Sequence, residues 1–169
     1  MQETLPGIWM SLGVDAARLM TPPGLQPGIG LRPGEPDHPA SPYQPLLYAA
    51  LYESVAAHSR LGLNVAVDVG HHDRTVFADC ARRVAGLPAL LVGVHCPLSV
   101  IMERRRESGT LPAEGAEPVE RWQRAVHDPG IYDLELDTSV LSPTECAGTI
   151  AARLTGDHAP SALHRLASS

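Results

Sequence analysis

The stretch NVAVDVGHHD, residues 64–73, brings together the side chains best suited to chemistry. Its pattern is typical of an apolar strand that contains Asp68 and is followed by a glycine, two histidines and a second carboxylate. A buried carboxylate needs an arginine, a helix cap or a metal as its partner, because an unpaired charge is costly to bury. Histidine titrates near neutral pH, so His71 and His72 are candidate general acids or bases. We therefore assign Asp68 to substrate binding and both histidines to catalysis.

These assignments have structural alternatives. In the alternative for the histidines, one caps the following helix and the other is exposed. Adjacent residues on a turn point in different directions, so we do not expect His71 and His72 to chelate one metal ion, and we assign no metal ligand. A further carboxylate, Asp15, follows the apolar run of residues 8–12. Asp15 is either the N-cap of a short helix or a catalytic base.

Aromatic side chains are scarce, at 4% of the chain, and several of them stand close to these positions in sequence. Trp9, Tyr43 and Tyr48 are assigned to an aromatic substrate pocket, together with Tyr52. Anchoring a loop or filling the core is the equally weighted alternative, because these rings combine apolar area with one polar group. His95 and the pair His127–Asp128 are interpreted as structural.

Alternating strand and helix patterns must position these residues. The strands are predicted at residues 8–12, 64–69, 88–96 and 132–138, and the helices at about 43–61, 73–84, 98–107, 119–126 and 143–154. Asp73 is the expected N-cap of one helix, and Ser142 with Glu145 has the spacing of a capping box. Nearly continuous apolar strands that alternate with helices predict an α/β fold, with a parallel sheet covered by helices on both faces. Ligands in such folds bind outside the carboxyl ends of the strands.

The chain is expected to form one α/β domain over residues 1–156. Within it, residues 21–42 are dense in proline and glycine, which excludes a long helix or a central strand there. Residues 157–169 are predicted to be a flexible tail. The chain of 169 residues is long enough to bury a core as one unit.

Composition excludes several functional classes. The net charge is −6, and all 13 basic residues are arginines, so no basic surface for nucleic acid is expected. No window has the roughly 20 apolar residues of a transmembrane helix, and no signal peptide is recognised at the start. The three cysteines lack any CxxC spacing and are interpreted as free thiols of a reducing compartment, which predicts a cytoplasmic protein.

Several motifs in the same order resemble the chloramphenicol phosphotransferase family of small P-loop kinases. They are LPGIWMSLGVDAARLM, VAVDVGHHD, LLVGVHCPLSVIMERRRESG and VHDPGIYDLELDTSVLSPTECAGTIAARL. The resemblance implies a nucleotide-kinase-like fold, ATP with magnesium, and a small hydroxylated acceptor. It implies that Asp15, in the segment GVD, takes the proton of the acceptor hydroxyl. It also implies that Arg104, Arg105 and Arg106 neutralise phosphates, a task that suits the planar guanidinium.

The sequence departs from the family at the phosphate loop. The family begins with a strand and a Gly-rich loop that ends in Gly-Lys-Ser/Thr, and these 169 residues contain neither the loop nor any lysine. Positioning and charge stabilisation supply most of phosphoryl-transfer catalysis, so we do not expect these residues alone to form a competent kinase, and the cofactor stays unassigned. The lid region ESGTLPAEGAEP contains glutamates and no arginine. Arg121 and Arg124 are alternative anion ligands, or solvated helix surface.

The departure also predicts a gap in the sheet, because the family's first strand lies between the strand ending at Asp68 and the strand of residues 88–96. Three outcomes follow: direct pairing of those strands, filling by another protomer or chain, or a longer gene. Self-association would fill such a gap.

Three functional hypotheses remain. The first is a chloramphenicol phosphotransferase-like protein that acts on a hydroxyl of a small antibiotic-like natural product. The second is a nucleotide-independent lyase, hydrolase or cyclase that uses Asp15 with His71 or His72. The third is a ligand-binding pseudokinase without catalytic activity.

Overall fold

The computed structural model describes residues 5–22, 41–111, 115–156 and 161–168. Most of the predicted loop at 21–42 and residues 157–160 of the predicted tail lie outside the described residues. The strands are β1 (Trp9–Gly13), β2 (Asn64–Asp68), β3 (Val92–His95) and β4 (Leu134–Asp137). The helices are α1 (Val14–Leu19), α2 (Gln44–Arg60), α3 (Arg74–Val84), α4 (Leu98–Glu107), α5 (Glu117–Val126), α6 (Pro143–Leu154) and α7 (Ala162–Ala167). The α/β class is confirmed.

The helix ends follow the local sequence. Asp73 precedes α3, and its side chain accepts hydrogen bonds from the backbone N–H groups of Thr75 and Val76. Ser142 and Glu145 form the complete capping box in front of α6. Both caps satisfy N–H groups that the first turn of a helix leaves without partners, which is why short-range sequence predicted these two ends correctly.

The four strands pair in parallel, as two separate sheets. β1 pairs with β2 in register from Trp9 opposite Asn64 to Gly13 opposite Asp68. β3 pairs with β4 from Val92 opposite Leu134 to His95 opposite Asp137. Among the described residues no ladder joins β2 to β3. The predicted single sheet is therefore interrupted between β2 and β3, and direct pairing of these two strands is not observed.

The main core lies between α2, α3 and α7. Its buried members are Tyr48, Leu51, Tyr52, Ala56, Phe77, Cys80, Ala81, Val84, Leu163 and Leu166. Partly buried residues of both sheets pack against this cluster, including Leu12 on β1 and Leu91 just before β3. The core thus connects the two sheets through one helical layer.

The prediction of a flexible tail after residue 156 is wrong for residues 161–168. Helix α7 packs on α3 and buries Leu163 and Leu166, at 6% exposure each. The backbone N–H of Ala162 donates to the Asp133 carboxylate at 2.6 Å, and the other oxygen of that carboxylate accepts from Leu91 N–H at 2.8 Å. One aspartate therefore connects α7 to the segment that leads into β3.

No helix of the described part of the chain is both long enough and apolar enough to cross a bilayer.

Candidate functional site

Asp68 is the last residue of β2, and it is exposed. The sequence predicted a buried carboxylate in need of a partner, and this prediction is wrong, because Asp68 stands at the last position of the ladder, where the strand pair ends. Gly13 lies opposite it, and a Cβ at Gly13 would come within 2.8 Å of the Asp68 carbonyl oxygen. Two residues beyond Gly13, Asp15 is exposed in the first turn of α1. The carboxylates of Asp15 and Asp68 thus belong to the same edge of the β1–β2 sheet.

His71 lies in the core and not at the exposed rim that the sequence suggested, with only 8% exposure. Its Nε2 is 2.8 Å from the Tyr52 hydroxyl, and its ring stacks on Phe77 with centroids 4.4 Å apart. Burial, and secondarily the neighbouring His72, lowers the pKa of His71 to about 4. His71 is therefore neutral at physiological pH, and its contacts join α2 to α3.

His72 faces a polar cleft of about 510 Å³ beyond the carboxyl end of β2. The cleft is lined by His72, Arg121, Arg124, Ala125, His127, Asp128 and Pro129. The Nδ1 atom of His72 is buried without a hydrogen-bond partner among the described residues. Burial lowers the pKa of His72, although the nearby Asp73 carboxylate acts in the opposite direction. A neutral imidazole with an unused nitrogen is suited to bind a ligand or to accept a proton.

Arg121 and Arg124 give this cleft its positive charge. Arg121 lies 3.6 Å from Glu117 and Arg124 lies 3.0 Å from Glu120, each one helical turn away on α5. Exposed ion pairs of this kind contribute little free energy, so both guanidinium groups can exchange their partners for an anionic ligand. Asp128 also lines the cleft, where its carboxylate is paired with Arg74, whose hydrogen bond lowers its pKa. The cleft can therefore accept an oxyanion.

Close packing of Gly70 holds α5 at this position. A Cβ at Gly70 would lie 2.6 Å from the Trp122 ring and 3.2 Å from the Val126 side chain. The His72 ring is also 5.7 Å from the Trp122 ring. In the GHH sequence after β2, the sequence analysis assigned a function to the two histidines. The structure shows that the glycine is the residue that allows α5, which carries Arg121 and Arg124, to approach β2.

His95 and His127 connect the end of β3 to the end of α5. Their rings stack with centroids 4.1 Å apart, and His127 Nδ1 is 2.7 Å from the Tyr132 hydroxyl. His95 Nε2 lies 2.9 Å from the Glu135 carboxylate without the alignment of a hydrogen bond. Burial and the neighbouring His95 lower the pKa of His127. These contacts fit the structural interpretation of both residues.

A second groove, of about 650 Å³, is largely apolar and lies on the other sheet. It is lined by Val94, Arg104, Leu136, Thr138, Ser139, Val140, Leu141, Ser142, Pro143, Cys146, Ala147 and Ile150. Arg104 donates to the Thr138 carbonyl at 2.6 Å and to its hydroxyl at 3.3 Å. The Asp137 pKa is lowered by hydrogen bonds from Ser139 in the same turn. Arg104 thus holds the loop after β4 at the edge of the groove.

The three arginines predicted to bind phosphate do not line the polar cleft. They occupy the last turn of α4, where Arg105 donates to the Thr110 carbonyl at 3.3 Å and Arg106 is exposed. Of the three, Arg104 lines the apolar groove, and neither Arg105 nor Arg106 lines that groove or the polar cleft. Arg121 and Arg124, which the sequence offered as alternatives, are the arginines placed in the polar cleft.

The predicted aromatic pocket residues are dispersed. Tyr48 is buried in the core and donates its hydroxyl to the Gly70 carbonyl at 2.9 Å. Trp9 donates its indole N–H to the Pro6 carbonyl at 3.1 Å. Tyr43 is 51% exposed, in a 3₁₀ turn before α2. None of the three lines the polar cleft or the apolar groove.

A family model described as "Chloramphenicol phosphotransferase-like protein" matches residues 1–155. This chain belongs to that family. Among solved structures, this chain is similar to the tunicamycin resistance protein of Deinococcus radiodurans, with a TM-score of 0.61 and 20% sequence identity. The match covers 94% of this chain and 89% of that protein's chain. At that identity the likeness shows the fold, which is nucleotide-kinase-like as predicted. No curated protein matches.

Proposed function

We propose that this protein binds a small, hydroxylated, antibiotic-like compound at the edge of the β1–β2 sheet, together with a phosphate-bearing ligand in the polar cleft. The observation that carries the proposal is the cleft itself, where Arg121, Arg124 and His72 converge beyond the carboxyl end of β2. Membership of the chloramphenicol phosphotransferase-like family supports the same substrate class. The fold shared with a tunicamycin resistance protein agrees with it.

Each residue in this proposal has a defined role. Arg121 and Arg124 present planar guanidinium groups, which can make paired hydrogen bonds to phosphate oxygens. Asp15 is exposed at the edge of the sheet, so its carboxylate can accept the proton of a bound hydroxyl. His72 lines the cleft wall, and its buried Nδ1 has no hydrogen-bond partner among the described residues. Together these groups bind an anion and activate a hydroxyl as a nucleophile.

The residues present fit part of an ATP site. The cleft arginines suit the phosphates of ATP, and bound ATP would supply the phosphoryl group. The lysine and the Gly-rich loop that usually stabilise the transferred group are not found among these 169 residues. Within the described residues, no three His, Cys, Asp or Glu side chains are grouped as metal ligands. The contribution that we propose for the residues described is anion binding by the cleft arginines and proton removal by Asp15.

Calorimetric titration with pyrophosphate and with ATP plus magnesium tests the anion site. We expect binding that weakens about tenfold or more in Arg121→Gln and in Arg124→Gln, because each removes a charge-assisted contact. Arg60→Gln is the matched control, since this exposed arginine ends α2 and lies outside the cleft. Equal affinity in all four proteins would contradict the assignment of the cleft.

Asp15→Asn tests the proposed base. Chloramphenicol and tunicamycin serve as acceptors with ATP, and phosphorus NMR detects a phosphorylated product. We expect Asp15→Asn to lower turnover by about 10²–10⁴-fold while acceptor binding changes little, since the variant removes proton acceptance and keeps the size of the side chain. Unchanged turnover in the variant would remove Asp15 from the mechanism. Binding of acceptor with no turnover by either protein would favour the ligand-binding hypothesis.

A second function is favoured by one observation, the neutral His72 beside the cleft. Proton-transfer chemistry without a nucleotide, in a lyase, hydrolase or cyclase, would use Asp15 with His72. His71 is excluded from this pair by its place in the core. Turnover that needs no ATP and is lost in His72→Gln would replace the first proposal with this one.

A further inference from the structure

His127 directly follows α5 and lines the polar cleft together with Arg121 and Arg124. Two contacts fix its ring: Nδ1 is 2.7 Å from the Tyr132 hydroxyl, and the ring stacks on His95 with centroids 4.1 Å apart. The other ring nitrogen, Nε2, has no hydrogen-bond partner in the part of the chain that the structure describes. One nitrogen of a fixed imidazole is therefore available to a ligand in the cleft.

The Tyr132 hydroxyl can pair with His127 in both protonation states. Its O–H can donate to Nδ1 of the neutral ring, and its oxygen can accept from Nδ1–H of the charged ring. Burial, and secondarily Glu135, raises the pKa of Tyr132, so this hydroxyl keeps its own proton. In the charged ring both nitrogens carry a proton, and Nε2–H can then donate to an oxyanion. His127 can therefore take up a proton without losing its contact to Tyr132.

Opposing influences act on the charge of His127. Burial and the neighbouring His95 lower its pKa, whereas the Glu135 carboxylate acts in the opposite direction. The end of α5 also favours the charged ring, because the C-terminus of a helix carries a partial negative charge. A negative charge close to an imidazole raises its pKa. An anion in the cleft would therefore shift this balance towards the charged ring.

The titratable and charged groups around His127 come from several elements. They are His95 on β3, Tyr132 and Glu135 before and on β4, Arg121 and Arg124 on α5, His72 before α3, and the ion pair of Asp128 with Arg74. The two cleft arginines disfavour a further positive charge beside them. An oxyanion bound to these arginines would offset their charge, so the uptake of a proton by His127 should accompany anion binding.

We propose that His127 is a third ligand of the oxyanion in the polar cleft, and that it takes up one proton from solvent when the anion binds. The anion accepts hydrogen bonds from Arg121, from Arg124 and from Nε2–H of His127. The cleft therefore binds a doubly charged oxyanion, such as a phosphate ester, more tightly as the pH falls below the pKa of His127 in the anion-bound state. The proposal rests on the anion site of the proposed function, to which it adds a ligand and a pH dependence.

Titration of the ¹⁵N-labelled protein with sodium sulfate at constant ionic strength, followed by amide chemical shifts, tests the proposal. Sulfate keeps its double charge between about pH 5.5 and about pH 8, so a change in affinity over this range comes from the protein. We expect the unmodified protein to bind sulfate at least about fivefold more tightly at the lower pH, and His127→Gln to lose most of this difference. His164→Gln is the matched control and should keep the difference, because His164 is exposed on α7 and does not line the cleft.

The imidazole C–H signals of the unmodified protein give a second measurement, which needs no variant. Sulfate should raise the pKa of His127 relative to chloride at the same ionic strength, and should leave the pKa of His164 unchanged. A further variant, Glu135→Gln, should move the increase in sulfate affinity to lower pH. It removes the carboxylate that favours the charged ring of His127.

Two results would overturn the role of His127 and leave the anion site intact. One is an equal pH dependence of sulfate affinity in His127→Gln and in the unmodified protein, and the other is a pKa of His127 that sulfate does not change. Absence of sulfate binding to the unmodified protein at every pH would overturn the anion site and the role of His127 together. The two failures are therefore distinguishable.

Discussion

His71 lies among Tyr52 and Phe77 in the core, whereas the next residue, His72, faces the polar cleft. Both have a lowered pKa, because burial disfavours the charged imidazolium in each case. The consequence differs with position. For His71 the neutral state preserves the core, and for His72 it places an uncharged imidazole ring at the wall of the polar cleft.

Stability should fall at mildly acidic pH because of His71. Its folded pKa of about 4 lies below the ordinary 6.5, so the folded state binds this proton less readily than the unfolded chain. The stabilisation is fully present above pH 6.5 and is lost progressively as the pH falls from 6.5 to about 4. At about 1.4 kcal/mol per pKa unit, the full loss is on the order of 3 kcal/mol. Urea unfolding followed by circular dichroism across this range measures it.

The variant His71→Gln should flatten that pH dependence. His72 and His127, whose pKa values are also lowered, account for the part that remains. His164→Gln is the matched control, because His164 is exposed on α7. An equally steep acid dependence in His71→Gln and in the unmodified protein would show that His71 is not the source.

At the scale of elements, α5 positions two arginine side chains near the carboxyl end of β2. Arg121 and Arg124 both line the cleft, and each is paired with a glutamate one helical turn earlier. Gly70 and Trp122 set the distance of α5 from β2. The anion site therefore depends on a helix–strand contact made by an uncharged residue.

Gly70→Ala should displace α5. The added methyl would meet the Trp122 ring at 2.6 Å, which requires the helix to shift and costs about 1–3 kcal/mol. We expect a red shift of Trp122 fluorescence, measured in a Trp9→Phe background, and weaker pyrophosphate binding. Gly86→Ala is the control, because a Cβ there has no neighbour within 4 Å. Identical spectra and affinity in both variants would contradict the contact.

At the scale of the whole molecule, α7 completes the core by packing on α3. Leu163 and Leu166 join the cluster of α2 and α3, and Asp133 ties the start of α7 to the segment before β3. Helix α7 is thus part of the domain, although the sequence analysis ended the domain at residue 156.

Leu166→Ala should destabilise the protein by about 2–5 kcal/mol, because it removes a buried side chain from a packed cluster. Leu154→Ala is the matched control. Leu154 ends α6 at 39% exposure, and its truncation should change the free energy of unfolding by about 0.5 kcal/mol or less. Urea denaturation followed by circular dichroism compares the two. A similar loss in both variants would mean that α7 is not part of the cooperative core.

The sequence by itself determined the elements whose signals are local. Apolar periodicity placed α2, α3, α4 and α6 within a few residues, and the Asp73 and Ser142 caps were predicted because a cap bonds backbone two or three residues away. The predicted strand at 88–96 shortened to Val92–His95, because Leu91 N–H bonds the Asp133 side chain rather than a neighbouring strand. The family motifs also gave the fold class, since they extend over most of the chain.

Only the tertiary structure decided which of these residues are exposed. Burial depends on contacts between distant segments, so the adjacent residues His71 and His72 could not be separated by sequence. Asp68 became exposed because the sheet ends beside it, and the choice of Arg121 and Arg124 over Arg104 followed from how α5 docks on Gly70. Helix α7 belongs to the domain because a helix of six residues gains stability from the core that it covers, and its own sequence signal is too short to show this.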